Sequence, residues 1–128
     1  MQLNQIYKCN VCGNVVEVVH VGGGQLVCCG QPMQALDPKS QEEGQEKHLP
    51  VVVNQTDKIV IKVGDIPHPM EVSHYIVFIE IVEKSGKICR KYLKPGDLPQ
   101  VEYDIKDISQ IVCVRQYCNI HGLWQVSL

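Results

Sequence analysis

Seven cysteines and five histidines in a chain of 128 residues are the side chains best suited to chemistry here, and most of them fall into two groups. Cys9-x-x-Cys12 and the adjacent pair Cys28-Cys29 place four thiols early in the chain. A Cys-x-x-Cys knuckle lets two sulfurs reach one ion while nearby backbone N–H groups point at them. The adjacent pair is not a second knuckle. Neighbouring side chains in a strand face opposite ways, so Cys28 and Cys29 must sit on a turn, which Gly30 and Pro32 permit. Four thiolates predict a tetrahedral metal site, distorted by the adjacent pair, and suit zinc or iron equally. A disulfide pairing is the weaker alternative in a reducing compartment.

The second group is His48, His68, His74, His121 and Cys118, in the contexts Glu46-Lys47-His48, His68-Pro69-Met70, Ser73-His74-Tyr75 and Cys118-Asn119-Ile120-His121-Gly122. Each histidine stands at a strand edge or in a turn, where side chains from different loops converge. Ligand number then favours one metal. Structural zinc closes at four ligands and catalytic zinc keeps three plus water. Four imidazoles and a thiolate exceed both, and suit iron held by five protein ligands with a sixth position open. An open position on a redox metal implies that a small molecule meets the metal directly.

The elements that must hold these groups follow from composition. Apolar residues make up 45% of the chain, which excludes wholesale disorder, and Val and Ile dominate them, favouring strands. Strands are expected at 49–53, 58–63, 75–82, 88–93, 101–105, 111–116 and 123–128. Turn chemistry separates them at Asn54-Gln55-Thr56-Asp57, Ser85-Gly86, Pro95-Gly96-Asp97 and His121-Gly122. Seven short strands with regular breaks predict an antiparallel sandwich. The first 36 residues hold too little apolar material to fold unaided, so a metal staple is expected there. The expected organisation is a module at 1–36, a polar linker at 37–47 and a sandwich at 48–128. A net charge of −2 leaves no nucleic-acid footprint, and no apolar run suits a membrane span. The opening eight residues lack the apolar stretch of a secretory signal, which points to a cytoplasmic protein.

With both groups in place, the chain resembles desulfoferrodoxin, the two-iron class of superoxide reductase, over essentially its whole length. Cys9-x-x-Cys12 with Cys28-Cys29 is similar to the desulforedoxin module; Glu46-Lys47-His48, His68-Pro69-Met70, His74 and Cys118-Asn119-x-His121-Gly122-Leu123-Trp124 are similar to the family's catalytic signatures. Phe78 stands where relatives often carry tryptophan, a matter of packing. The resemblance implies a mainly β fold: a rubredoxin/desulforedoxin-like metal module followed by a seven-stranded immunoglobulin-like sandwich. It implies two iron ions per chain, one on Cys9, Cys12, Cys28 and Cys29. The second would lie in a plane of His48, His68, His74 and His121, with Cys118 as axial thiolate and the open position toward solvent. Superoxide would take one electron there and leave as hydrogen peroxide, without release of dioxygen. Lys47 would attract the anion and stabilise its reduced form, Glu46 would occupy the sixth position of the oxidised iron, and Asn119 would order the Cys118 loop. A rubredoxin-like electron donor and a homodimer are further implications.

The remaining residues are read more simply. Cys89 and Cys113, within strands, are expected to be buried apolar residues, His20 to be exposed, and Trp124 to belong to the core. Two rival readings stay open: a two-centre iron protein that only carries electrons, and a zinc-ribbon interaction module joined to a non-catalytic sandwich.

Overall fold

The computed structural model describes residues 1–40, 44–105 and 107–128. It divides into two compact units, Met1–Asp37 and Pro38–Leu128.

The first unit is built from very short strands: β1 (Ile6–Lys8), β2 (Val15–Glu17), β3 (Val27–Cys28), β4 (Gln31–Pro32) and β5 (Gln34–Leu36). They form an antiparallel sheet in the order β2-β1-β5 and a separate β3-β4 hairpin. Its buried apolar side chains among the described residues are Ile6, Cys9 and Val18. So small a core cannot offset the conformational entropy of ordering the unit, as its composition predicts.

The second unit opens with a single helical turn, α1 (Gln45–His48), followed by β6 (Pro50–Asn54), β7 (Ile59–Val63), β8 (Ile76–Glu83), β9 (Ile88–Tyr92), β10 (Gln100–Tyr103), β11 (Ile111–Cys118) and β12 (Gly122–Ser127). One sheet runs β10-β7-β6 and the other β12-β11-β8-β9, all neighbours antiparallel. This division, with consecutive strands passing between the sheets, is that of an immunoglobulin-like sandwich. Alternate residues of the two facing sheets supply the core: Ile59, Ile61 and Val63 with Val101 and Tyr103 on one side, Ile79, Ile81 and Val114 on the other. Phe78 is buried and stacks on Tyr117 at 5.9 Å.

Two irregularities aim residues at the end of the sandwich where β6 begins and β11 ends. Pairing steps from Tyr117–Phe78 to Cys118–Ile76, so a bulge at the start of β8 brings Ile76 to the core side just after His74. Gly64, with φ +82°, follows β7; a Cβ there would stand 2.6 Å from the Lys47 carbonyl oxygen and 2.5 Å from that of Ile66. No side chain fits, and the close approach lets the 64–66 turn hold α1: Ile66 N–H donates to Glu46 O at 3.1 Å and Gly64 N–H to Leu49 O at 2.9 Å.

Within 37–47, the structure shows Lys39 pairing with β12, its N–H donating to Leu123 O at 2.8 Å and its O accepting from Gln125 N–H at 2.9 Å. Residues 41–43 of that stretch lie outside the described residues. No helix among the described residues is long and apolar enough to cross a membrane.

Candidate metal centres

In the first unit, β1 leads directly into the knuckle. Cys9 N–H donates to Asn14 O at 2.9 Å and Gly13 N–H to Cys9 O at 3.0 Å, closing the turn. The Cys12 N–H points at Cys9 Sγ and the Asn14 N–H at Cys12 Sγ, each at 3.5 Å. The adjacent pair does sit on a turn. Cys28 pairs with Gln31, which leaves Cys29 and Gly30 as a two-residue hairpin loop with φ of +52° and +74°. Positive φ at both positions is the turn that suits a twisted hairpin. A non-glycine residue held there is strained by about 1 kcal/mol, and the turn swings Cys29 toward the other sulfurs. Cys12 Sγ lies 3.6 Å from Cys28 Sγ, which lies 3.9 Å from Cys29 Sγ.

The electrostatics of this group call for a cation. Backbone N–H groups of Cys12 and then Val11 pull the Cys9 thiol down to about 6. Hydrogen bonds shared with Cys12, then Cys28 and Cys9, push Cys29 up to about 12. Four sulfurs this close cannot all be thiolates without positive charge among them. Cys9 is buried, while Cys12 and Cys29 are exposed.

In the second unit, α1 supplies His48, the β7–β8 connection His68 and His74, and the β11–β12 turn Cys118 and His121. The four imidazoles close a square. Ring centroids are 4.8 Å apart from His48 to His68, 4.7 Å from His68 to His74, 4.9 Å from His74 to His121 and 4.7 Å from His121 back to His48. Each ring meets the next edge-on, at interplanar angles between 68° and 81°. The potential ligand atoms of the four histidines and Cys118 all lie within 4.8 Å of one another.

The hydrogen bonds around the square decide which nitrogens are available. His48 Nδ1 meets Gly44 O at 2.7 Å, and His68 Nδ1 meets Pro69 O at the same distance. A carbonyl only accepts, so each Nδ1 carries the proton and each Nε2 is left as a lone pair. His68 Nε2 and His74 Nε2 are buried without a hydrogen-bond partner, and His48 Nε2 faces His121 Nδ1 at 3.0 Å. Buried nitrogens left unsatisfied are the mark of a site shaped for a cation. Burial first, and then repulsion from neighbouring rings, favours the neutral form of three of them: His68 is pushed down to about 4, and His48 and His121 are also lowered. Neutral imidazole is the form that binds metal.

Cys118 is fully buried and accepts the His121 N–H at 3.4 Å. His121 is exposed, so the square reaches the surface on that side. Asn119 ties two loops together: its Oδ1 accepts from Tyr75 N–H at 2.9 Å and its Nδ2 donates to Ser73 O at 3.1 Å, on either side of His74. Glu46 and Lys47 are exposed on α1, immediately before His48. Cys113 is buried but Cys89 only half-buried, neither belongs to a metal group, and His20 is exposed.

Three residues beside the site were not singled out for it by sequence reasoning. Trp124 is in the core, as expected, yet its ring also stacks on His48 at 4.8 Å and 14°. Gln116, fully buried, donates from Nε2 to His48 O at 2.9 Å. Lys39 places Nζ 5.6 Å from the centre of the Trp124 ring. A sequence signal existed for Gln116: it shares the inward parity of Val114 and Cys118, where an apolar residue belongs.

A square of imidazoles with a buried thiol on a β-sandwich, accompanied by a separate four-cysteine module, defines a two-centre metalloprotein. The family model for desulfoferrodoxin matches residues 40–127, and that for its N-terminal domain matches residues 2–36. The chain belongs to the desulfoferrodoxin family. A desulfoferrodoxin homolog of Archaeoglobus fulgidus is 54% identical over 124 residues, covering 97% of each chain. The superoxide reductase of Treponema pallidum has the same fold, with a TM-score of 0.73 at 24% identity and 96% of each chain covered. The superoxide reductase (1Fe-SOR) of Giardia intestinalis is 25% identical with a TM-score of 0.54, and covers 65% of this chain and 97% of its own. Desulfoferrodoxins have two iron sites, and the two groups described here match them in number and donor type.

Proposed function

We propose that this protein is a superoxide reductase, in which superoxide gains one electron and two protons and leaves as hydrogen peroxide. The observation that carries the reading is the square of four imidazoles, accompanied by the buried Cys118 and open to the surface at His121. The Giardia relative, 97% of whose chain is covered, is a superoxide reductase by name. His48, His68, His74, His121 and Cys118 would hold one iron and the four cysteines the other. Iron in the square would supply the electron and an open position for a small anion.

The chain's own residues do the rest. Carbonyl bonds from Gly44 and Pro69 fix the His48 and His68 rings with Nε2 inward. The His121 N–H, donated to Cys118 Sγ, holds that sulfur within its turn. Lys47 sets a positive charge beside His48, where it attracts an anion to a protein of net charge −2 and neutralises charge as the anion is reduced. Glu46 offers a carboxylate from the same turn, able to take the open position between substrates. The four-cysteine centre, with Cys12 and Cys29 exposed, suits electron entry. A rubredoxin-like donor, a homodimer and a cytoplasmic setting complete the reading.

The test is stoichiometry with catalase absent and a reductant present. Each superoxide consumed should yield one hydrogen peroxide and no dioxygen. Dioxygen released at half the superoxide consumed would make the protein a dismutase. No reaction, with both irons bound, would leave an electron carrier.

A further inference from the structure

Of the four histidines, His48 alone comes from a helical turn outside the sandwich; the others lie in connections between its strands. Something must carry it to the square. We infer that Gln116 and Trp124 are positioning residues that together form a cradle for His48. The inference rests on reading the five-residue group as a metal centre.

The two residues are direct partners across β11 and β12, so their side chains stand next to each other. Gln116 holds the backbone of His48 through the bond to its carbonyl oxygen, and Trp124 holds the ring by stacking on it. The same indole donates from Nε1 to His121 O at 3.0 Å, so one side chain touches two corners of the square. Register does this work. A slip of one residue between β11 and β12 would move the amide and the indole apart, or turn them to the other face.

Packing alone does not explain Gln116. It is fully buried on an inward position, and its Oε1 has no hydrogen-bond partner. An apolar side chain of the same length would fill that space without a stranded oxygen. The amide is retained for the bond it makes, and that bond fixes the end of α1 at His48. Rigid support of this kind raises metal affinity because less freedom is lost on binding.

The single tryptophan of the chain gives the readout, since its ring lies against a ligand. Full-length protein carrying Cys12→Ser, which disables the first centre, is titrated with cobalt(II) against a competing chelator while Trp124 fluorescence is followed. The parent should quench at one equivalent. Gln116→Met should need about tenfold more free cobalt, the usual scale for losing an outer support of a metal ligand. Val101→Ala, which trims the core on β10, controls for general loss of stability. Trp124→Phe, followed by the cobalt absorption band, keeps a stacking ring but loses the N–H and should fall between parent and Gln116→Met.

A shift in Gln116→Met that Val101→Ala does not share at equal loss of melting temperature supports the cradle. Equal cobalt affinity in parent and Gln116→Met, or equal shifts in Gln116→Met and Val101→Ala, overturns it. A parent that binds no cobalt at the five-residue group would remove the metal reading itself, and the cradle with it.

Discussion

The two centres reverse the relation between fold and metal. In Met1–Asp37 the strands are two or three residues long, three apolar side chains are buried, and two of the four cysteines are exposed. Local turns set those sulfurs: a knuckle closed by Gly13 and a left-handed Cys29-Gly30 loop. In Pro38–Leu128 the core spans two sheets, and the five side chains that could hold an ion come from segments far apart in sequence. There the sandwich brings the site together. Ion binding contributes folding energy outright where a core is missing, and selects from a finished framework where one exists.

Metal removal tests this contrast most severely. Stripped of both ions under reducing conditions, the first unit should lose its amide-exchange protection entirely, while the second keeps a cooperative thermal transition. Protection retained in 1–37 without metal would show that the strands suffice. Ligand exchange should separate the centres next. Cys118→Ser should abolish the reaction with superoxide and leave the four-cysteine absorption intact. Cys12→Ser should bleach that absorption and leave the superoxide reaction nearly unchanged. A variant of either kind that disables both centres would contradict their independence.

Smaller effects probe how the framework presents α1. Gly64→Ala forces a side chain onto the Lys47 and Ile66 carbonyls and strains a positive φ, so about 2 kcal/mol of stability should be lost from the second unit. Denaturant unfolding measures it, and an unchanged midpoint would mean that the turn yields. Lys47→Ala should slow the second-order reaction with superoxide by roughly tenfold, about 1.4 kcal/mol. Charges beyond about 8 Å are screened at physiological ionic strength, so the variant should also be less sensitive to salt. Equal rates and equal salt slopes in stopped-flow measurements would take Lys47 out of the mechanism.

Much of this was legible in the residues. Strand positions followed from alternation such as Ile59, Ile61 and Val63, because a two-residue period is a local property of the backbone. The turn at Cys28-Cys29 followed from the impossibility of pointing neighbouring strand side chains at one ion. Donor type and number told the two metal groups apart. Local chemistry therefore picked out the two candidate ligand groups and the turns between strands, and it favoured iron over zinc only at the five-residue group.

Tertiary structure alone decided what surrounds them. Glu80 is fully buried because Arg90 and Arg115 meet it across β8, each with Nε at 2.7 Å, a pairing set by strand register. Gly64 is required by the approach of a carbonyl from an earlier turn, and nothing in its own neighbourhood announces that. Trp124 and Gln116 became supports of His48 only when β11 and β12 aligned and α1 came to rest on them. A residue's type limits the bonds it can make, but its partners are set by which segments the hydrophobic core brings together, and contacts across some 70 positions have no local signature.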